Sequence, residues 1–222
     1  MNKLRIVLTG STGMVGEGVL NECMNHPEVE SILVINRRAS GIYHPKVSEI
    51  LHEDFNNISG IAGRLWEYNT CFFCSGISSL GKKEEEFEKL TYTLTINFAE
   101  GIKKSGADFV FCYISGAGTD STENSRTMWA RVKGRTENQL MKMGFRCVYN
   151  FRPGILIPTP GMKNTLSFYK YFGWLAPVIK LVAPNSISTL KELGLAMISA
   201  AHSGYNKNVI EVSDIHHLAK RQ

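Results

Sequence analysis

Leu4-Arg5-Ile6-Val7-Leu8-Thr9-Gly10-Ser11-Thr12-Gly13-Met14-Val15-Gly16 is the stretch that decides how the rest of the chain is read. A short run rich in β-branched residues predicts a strand. It reaches three glycines spaced three apart, which open a stretch where Val15, Val19 and Cys23 share one helical face. Strand, glycine turn and helix in this order make a cradle for a phosphate-bearing nucleotide. Gly10 permits the tight turn, Gly13 lets the backbone approach a pyrophosphate, and Gly16 lets the helix pack closely on the strand. The free N–H groups of the first helical turn, at Met14 and Val15, then face the phosphates. Ser11 and Thr12 can hydrogen-bond phosphate, cap the helix, or do both.

Further apolar runs lie at Ser31–Ile35, Val47–Leu51, Thr70–Cys74, Phe109–Ile114 and Arg146–Phe151, with helical stretches between most of them. In one of these, Phe87, Leu90, Leu94 and Phe98 recur at helical spacing. Strands alternating with helices predict an α/β fold, a doubly wound parallel sheet covered on both faces. After Pro158-Thr159-Pro160-Gly161 the alternation ends. An aromatic stretch follows (Phe168, Tyr169, Tyr171, Phe172, Trp174), then a helix from Thr189 to about Ala201 and a short strand at Val209–Val212. The whole is read as one domain, with a core over 1–157 and a small substrate-side cap over 158–222. The cap's alternatives are plain cover for a sheet edge, or an aromatic contact with a partner or membrane surface.

A chain of 222 residues, 43% apolar and 20% charged, suits one soluble globular domain. The net charge of +5 is scattered in pairs such as Lys82-Lys83 and Lys103-Lys104, without a basic stripe, so no nucleic-acid partner is expected. Five cysteines, an odd number, argue against a disulfide framework. Cys71 and Cys74 would point to opposite faces of a strand and clamp no metal. His202, His216 and His217 match no metal spacing, and no metal is assigned. Neither a secretory signal nor a membrane-spanning run is visible; Phe172–Val182 is too short and contains Pro177 and Lys180. A cytoplasmic location is the default expectation.

The second strand ends in Asn36-Arg37-Arg38. A carboxylate there would hold a ribose 2′-hydroxyl, whereas two guanidiniums suit a 2′-phosphate. NADP is therefore favoured over NAD. Asp54, after the third strand, can accept from an adenine amino group. Ser75 and Gly76, after the fourth, leave room for the ribose and phosphates.

In order along the chain stand Thr9–Gly16, Asn36-Arg37-Arg38, Asp54-Phe55, Ser75-Gly76, Asn97, Ser115 and Arg152-Pro153-Gly154. Over about residues 3–157 this set resembles the short-chain dehydrogenase/reductase superfamily. It is most similar to the extended and atypical branch, the epimerase/dehydratase-like proteins and the short chains like the Tat-interacting reductase-like proteins. The resemblance implies a Rossmann fold, a bound dinucleotide with Phe55, Pro153 and Ile155 also lining its site, and an Asn-Ser-Tyr-Lys catalytic set. Asn97, Ser115 and Lys133 take three of these places, and Lys133 also holds the nicotinamide ribose. The resemblance further implies pairing of two copies, so a homodimer is an expectation.

The Tyr place is held by Trp129, in Trp129-Ala130-Arg131-Val132-Lys133, and no tyrosine occurs between Tyr113 and Tyr149. An indole N–H donates a hydrogen bond but shuttles no proton. Three readings stay open: an NADP-dependent oxidoreductase with another proton source, an NADP-binding sensor or scaffold without turnover, and a nucleotide-sugar epimerase or dehydratase. For the first, Ser115, a water held by Lys133 and Asn97, or the more deeply placed Tyr113 are the candidate donors. The third is disfavoured because the stretch after residue 157 is short and such enzymes rely on the Tyr. The substrate is unassigned.

Overall fold

The computed structural model describes residues 2–106, 108–164 and 186–221. The apolar runs become β1 (Leu4–Thr9), β2 (Val29–Asn36), β3 (Val47–Leu51), β4 (Thr70–Phe73), β5 (Val110–Ile114) and β6 (Cys147–Phe151). β7 (Ile155–Ile157) and β8 (Ile187–Thr189) form a separate parallel pair, and β9 (Val209–Ile210) completes the main sheet. Its order is β3-β2-β1-β4-β5-β6-β9, with every neighbouring pair parallel. The expected doubly wound α/β sheet is present, and all its strands end on one edge.

Alternation along β1 divides two apolar layers. Ile6 and Leu8 face a layer with Val19, Leu20 and Cys23 of α1 (Met14–Asn25). Val7 faces the other layer, with Phe73, Phe98 and Phe111. Cys71 lies in the second layer and Cys74 packs against the first, as the spacing predicted.

The run containing Phe87 departs from a regular helix. α2 (Glu84–Glu88) passes through one π-helical turn, Lys89–Thr93, into α3 (Leu94–Lys104). A π turn adds a residue and shifts the buried face. Phe87 and Phe98 are buried as expected, but Leu90 is 38% exposed and Thr91 takes the inward place. α4 (Met128–Lys142) covers the same side of the sheet.

The segment read as a cap is partly sheet cover. α5 (Leu190–Ser203) begins at Thr189, whose side chain and Glu192 cap each other, and its stripe of Leu190, Leu193 and Met197 is buried beside α1. β9 joins the sheet edge beside β6. The expected strand at Val209–Val212 is shorter, because Glu211 and Asp214 form a capping box that starts α6 (Val212–Leu218). The aromatic cluster of Phe168, Tyr169, Tyr171, Phe172 and Trp174 lies outside the described residues.

Candidate nucleotide site and crevice

The glycine turn has the geometry its sequence requires. Gly10 has φ +76°, and a Cβ there would stand 2.8 Å from the Cys74 carbonyl and the Ser75 nitrogen. A Cβ at Gly16 would stand 2.1 Å from the Gly10 carbonyl oxygen, so helix and turn touch through backbone. At Gly13 nothing is nearer than 3.5 Å. The approach to the first turn of α1, with half-buried Met14 and Val15, is open, and no side chain caps that helix. This is a cradle that a dinucleotide pyrophosphate fits.

Ser11 is neither cap nor open ligand. It is buried, and its Oγ accepts from Asn36 Nδ2 at 2.7 Å. The same amide donates to Glu49 Oε1 at 2.9 Å, which also accepts from the Ser40 N–H at 3.0 Å. This brace ties the glycine turn to the ends of β2 and β3. Thr12 stays exposed. A cavity of about 560 Å³ opens beside Thr12, Arg38 and Ser40. Arg38 lines it, whereas Arg37, though exposed, does not.

Other candidates occupy the strand-end edge unequally. The Ser75 N–H donates to Thr9 Oγ1 at 3.3 Å, and Gly76 is exposed with open space around it. Asp54 is exposed and accepts from the Asn56 N–H at 3.0 Å. Phe55, in contrast, stacks on Phe98 with centroids 5.4 Å apart and belongs to the apolar layer. The Pro153 carbonyl accepts from the Ala117 N–H at 2.8 Å, which fastens the turn after β5 to the one after β6. Ile155 is half exposed on β7.

Trp129, Lys133 and Glu137 follow at one-turn intervals on α4. The indole lies against Gly118, where a Cβ would stand 3.4 Å from the ring. Lys133 Nζ donates to the Ser115 carbonyl. Burial depresses its ammonium to about 8, against the opposing pull of Glu137. The Ser115 Oγ donates its one proton to Glu137 Oε1 at 2.5 Å and lies 3.1 Å from the Phe151 carbonyl. Glu137, with no exposed surface, also accepts from Arg152 Nε at 3.1 Å and Nη2 at 2.5 Å. Arg152 continues the chain to Glu211 and to Ser121. Ser115 and Lys133 are thus brought together, but the serine hydroxyl is turned into a buried network.

Asn97 stands apart from this pair. Its Nδ2 donates to Asn56 Oδ1 at 3.2 Å, in a small cleft with Asn57, Ser59 and Lys104. Tyr113 is buried in the sheet, and burial with the nearby Glu137 pushes its hydroxyl up, away from use as an acid. Glu137 escaped the sequence reading, although its i,i+4 place after Lys133 was a usable signal. Among the described residues no helix is long and apolar enough to cross a membrane.

No family model matches the chain. It is 28% identical over 159 residues to "Protein FMP52, mitochondrial" of Meyerozyma guilliermondii, a match covering 69% of this chain and 66% of that protein. The match therefore spans just under two thirds of that relative's own length. The expected cytoplasmic location is corrected by these comparisons: relatives from Meyerozyma guilliermondii, Aspergillus oryzae and Candida albicans are all named mitochondrial. Among solved structures, the Bordetella bronchiseptica enzyme WbmG in complex with NAD and UDP superposes with a TM-score of 0.63 at 15% identity, covering 98% of this chain and 77% of that one. The dTDP-glucose 4,6-dehydratase DesIV of Streptomyces venezuelae, with NAD and TYD bound, gives 0.67 at 13% identity, covering 94% and 75%. The NAD in both structures leaves the expected preference for NADP as a proposal. At these identities the likeness shows the fold: the chain shares the doubly wound, parallel α/β architecture of these NAD-bound enzymes, as the alternation of strands and helices in its sequence predicts.

Proposed function

We propose that the chain binds NADP(H) and acts as an oxidoreductase on a small carbonyl compound, with Lys133 as its proton source. The observation that carries the reading is the bare approach at Gly13 between the left-handed Gly10 and the open first turn of α1. The preference for NADP rests on Arg38 lining the adjoining cavity. The carboxylate that β3 sends to this edge, Glu49, is already engaged by Asn36 and Ser40. Met14, Val15, Ser75 and Gly76 would line the phosphates and ribose, and the exposed Asp54 the adenine.

A bound nicotinamide supplies hydride. The chain then has to deliver one proton to the developing alkoxide. Trp129 shapes the pocket and donates at most a hydrogen bond. The Ser115 hydroxyl is committed to Glu137. Lys133 Nζ, beside the Ser115–Gly116 turn and depressed to about 8, holds a proton at neutral pH and can release it. The mitochondrial names of the relatives support that organelle as the setting.

A second reading, an NADP-binding protein without turnover, is favoured by the burial of the Ser115 hydroxyl and by Trp129. Calorimetry with NADPH and NADH, followed by turnover over aldehydes, ketones and quinones, separates the two. The enzyme reading expects NADPH to bind more tightly than NADH. It also expects kcat at saturating NADPH to fall by about 100-fold or more in Lys133→Met. Tight NADPH uptake with no turnover, unchanged in Trp129→Tyr, supports the second reading. No uptake of either nucleotide would overturn both.

A further inference from the structure

The cavity beside Arg38 has a second wall that comes from far along the sequence. Residues Thr159–Asn164 cross beside the first turns of α1. They are fixed there by Glu17, whose Oε1 accepts from the Lys163 N–H and whose Oε2 accepts from the Asn164 N–H, each at 2.8 Å. Both carboxylate oxygens are thus occupied by backbone donors. Glu17 is the sole carboxylate among the described lining residues. The remaining wall mixes apolar Met24, Ile42 and Met162 with polar or cationic Thr12, Asn21, Arg38, Ser40 and Lys163.

Neither the Arg38 guanidinium nor the Lys163 ammonium makes an ion pair with another described side chain. Both residues line the same cavity, and an anion seated between two cations offsets their mutual repulsion. The cavity, about 560 Å³, falls within the size range of ligand pockets. It adjoins the pyrophosphate cradle through Thr12, so an anion there can be part of the same nucleotide.

We propose that Lys163 is a specificity-determining residue that grips the cofactor's 2′-phosphate opposite Arg38, and that Glu17 is the positioning residue that seats it. This rests on the reading of the crevice as a dinucleotide site. The 2′-phosphate is then held between the loop after β2 and a segment after β7. Lys163 contacts only the group that distinguishes NADPH from NADH, so its loss changes one affinity and spares the other.

The test is calorimetric titration of NADPH and NADH into the wild type, Lys163→Ala, Glu17→Ala and the double variant. Lys163 is exposed, so its replacement leaves the core intact. The expected result in Lys163→Ala is an NADPH Kd raised on the order of tenfold, with the NADH Kd within about twofold. In the Glu17→Ala background the further effect of Lys163→Ala shrinks to within about twofold, because the lysine is no longer seated. An equal change for both nucleotides, or none for either, overturns the role of Lys163. A full tenfold effect persisting without Glu17 overturns its positioning role. A wild type that takes up neither nucleotide removes the dinucleotide reading itself, an outcome distinct from the other two.

Discussion

Replacing Glu137 by Met should unfold the protein well below its normal midpoint. Glu137 has no exposed surface, and it accepts hydrogen bonds from Ser115 and twice from Arg152, whose side chain is itself only 11% exposed. Its loss leaves the guanidinium facing a buried wall with only the half-exposed Glu211 and the Ser121 hydroxyl as partners. Breaking one side of such a buried pair costs about 3–5 kcal/mol. For a domain of this size, about 2–4 °C of midpoint follows each kcal/mol, which gives a fall of about 6–20 °C. The double variant Glu137→Met/Arg152→Met should recover much of that loss, since an apolar pair of similar volume can stand in for a buried ion pair. The assay is urea and thermal unfolding followed by circular dichroism. A single substitution costing under about 1 kcal/mol, or a double variant whose cost is the sum of the two singles, would refute the account of a mutually dependent buried pair.

Two other perturbations test the cradle and the buried lysine. Gly16→Ala puts a Cβ 2.1 Å from the Gly10 carbonyl oxygen, and both sides of that clash are backbone. It should destabilise by about 3 kcal/mol or more and abolish NADPH uptake under conditions where far-ultraviolet dichroism still shows a fold; wild-type uptake in this variant would contradict the cradle. Burial holds Lys133 at about 8 rather than the ordinary 10.5. Between those values the unfolded chain binds a proton that the folded chain has released, so stability should rise with pH across this window and level off above it. Below the window the charged ammonium is a standing cost to the fold. Lys133→Met should flatten the rise in urea midpoints, and parallel curves for wild type and variant would show that the lysine is not desolvated.

The sheet and the glycine turn were legible in the sequence because both are local patterns. β1 alternates between two apolar layers, and the steric roles of Gly10 and Gly16 follow from spacing alone. The π turn was not legible. Leu90 fits a helical stripe, and only an added residue in Lys89–Thr93 turns it outward. At Glu211-Val212 an apparent alternation concealed a capping box. In the crevice, order along the chain placed Ser115 and Lys133 near each other but could not show where the serine hydroxyl points. That depends on Glu137 of α4 and on Arg152, just after β6. Asn97 failed to join them for the same kind of reason, since its orientation is set by Asn56 after β3. The Glu17 contact with Lys163 and Asn164 joins residues so distant in sequence that no local pattern announces it.

The run from Ser115 through Glu137 and Arg152 to Glu211 joins the turn after β5, α4, the turn after β6 and the cap of α6. It acts as a polar strut beneath the strand ends. A lesion in the closing residues of the chain is therefore felt at the floor of the crevice: shortening the protein before Glu211 would strip Arg152 of one counter-charge, loosen its hold on Glu137, and free a serine hydroxyl that the intact fold keeps pinned.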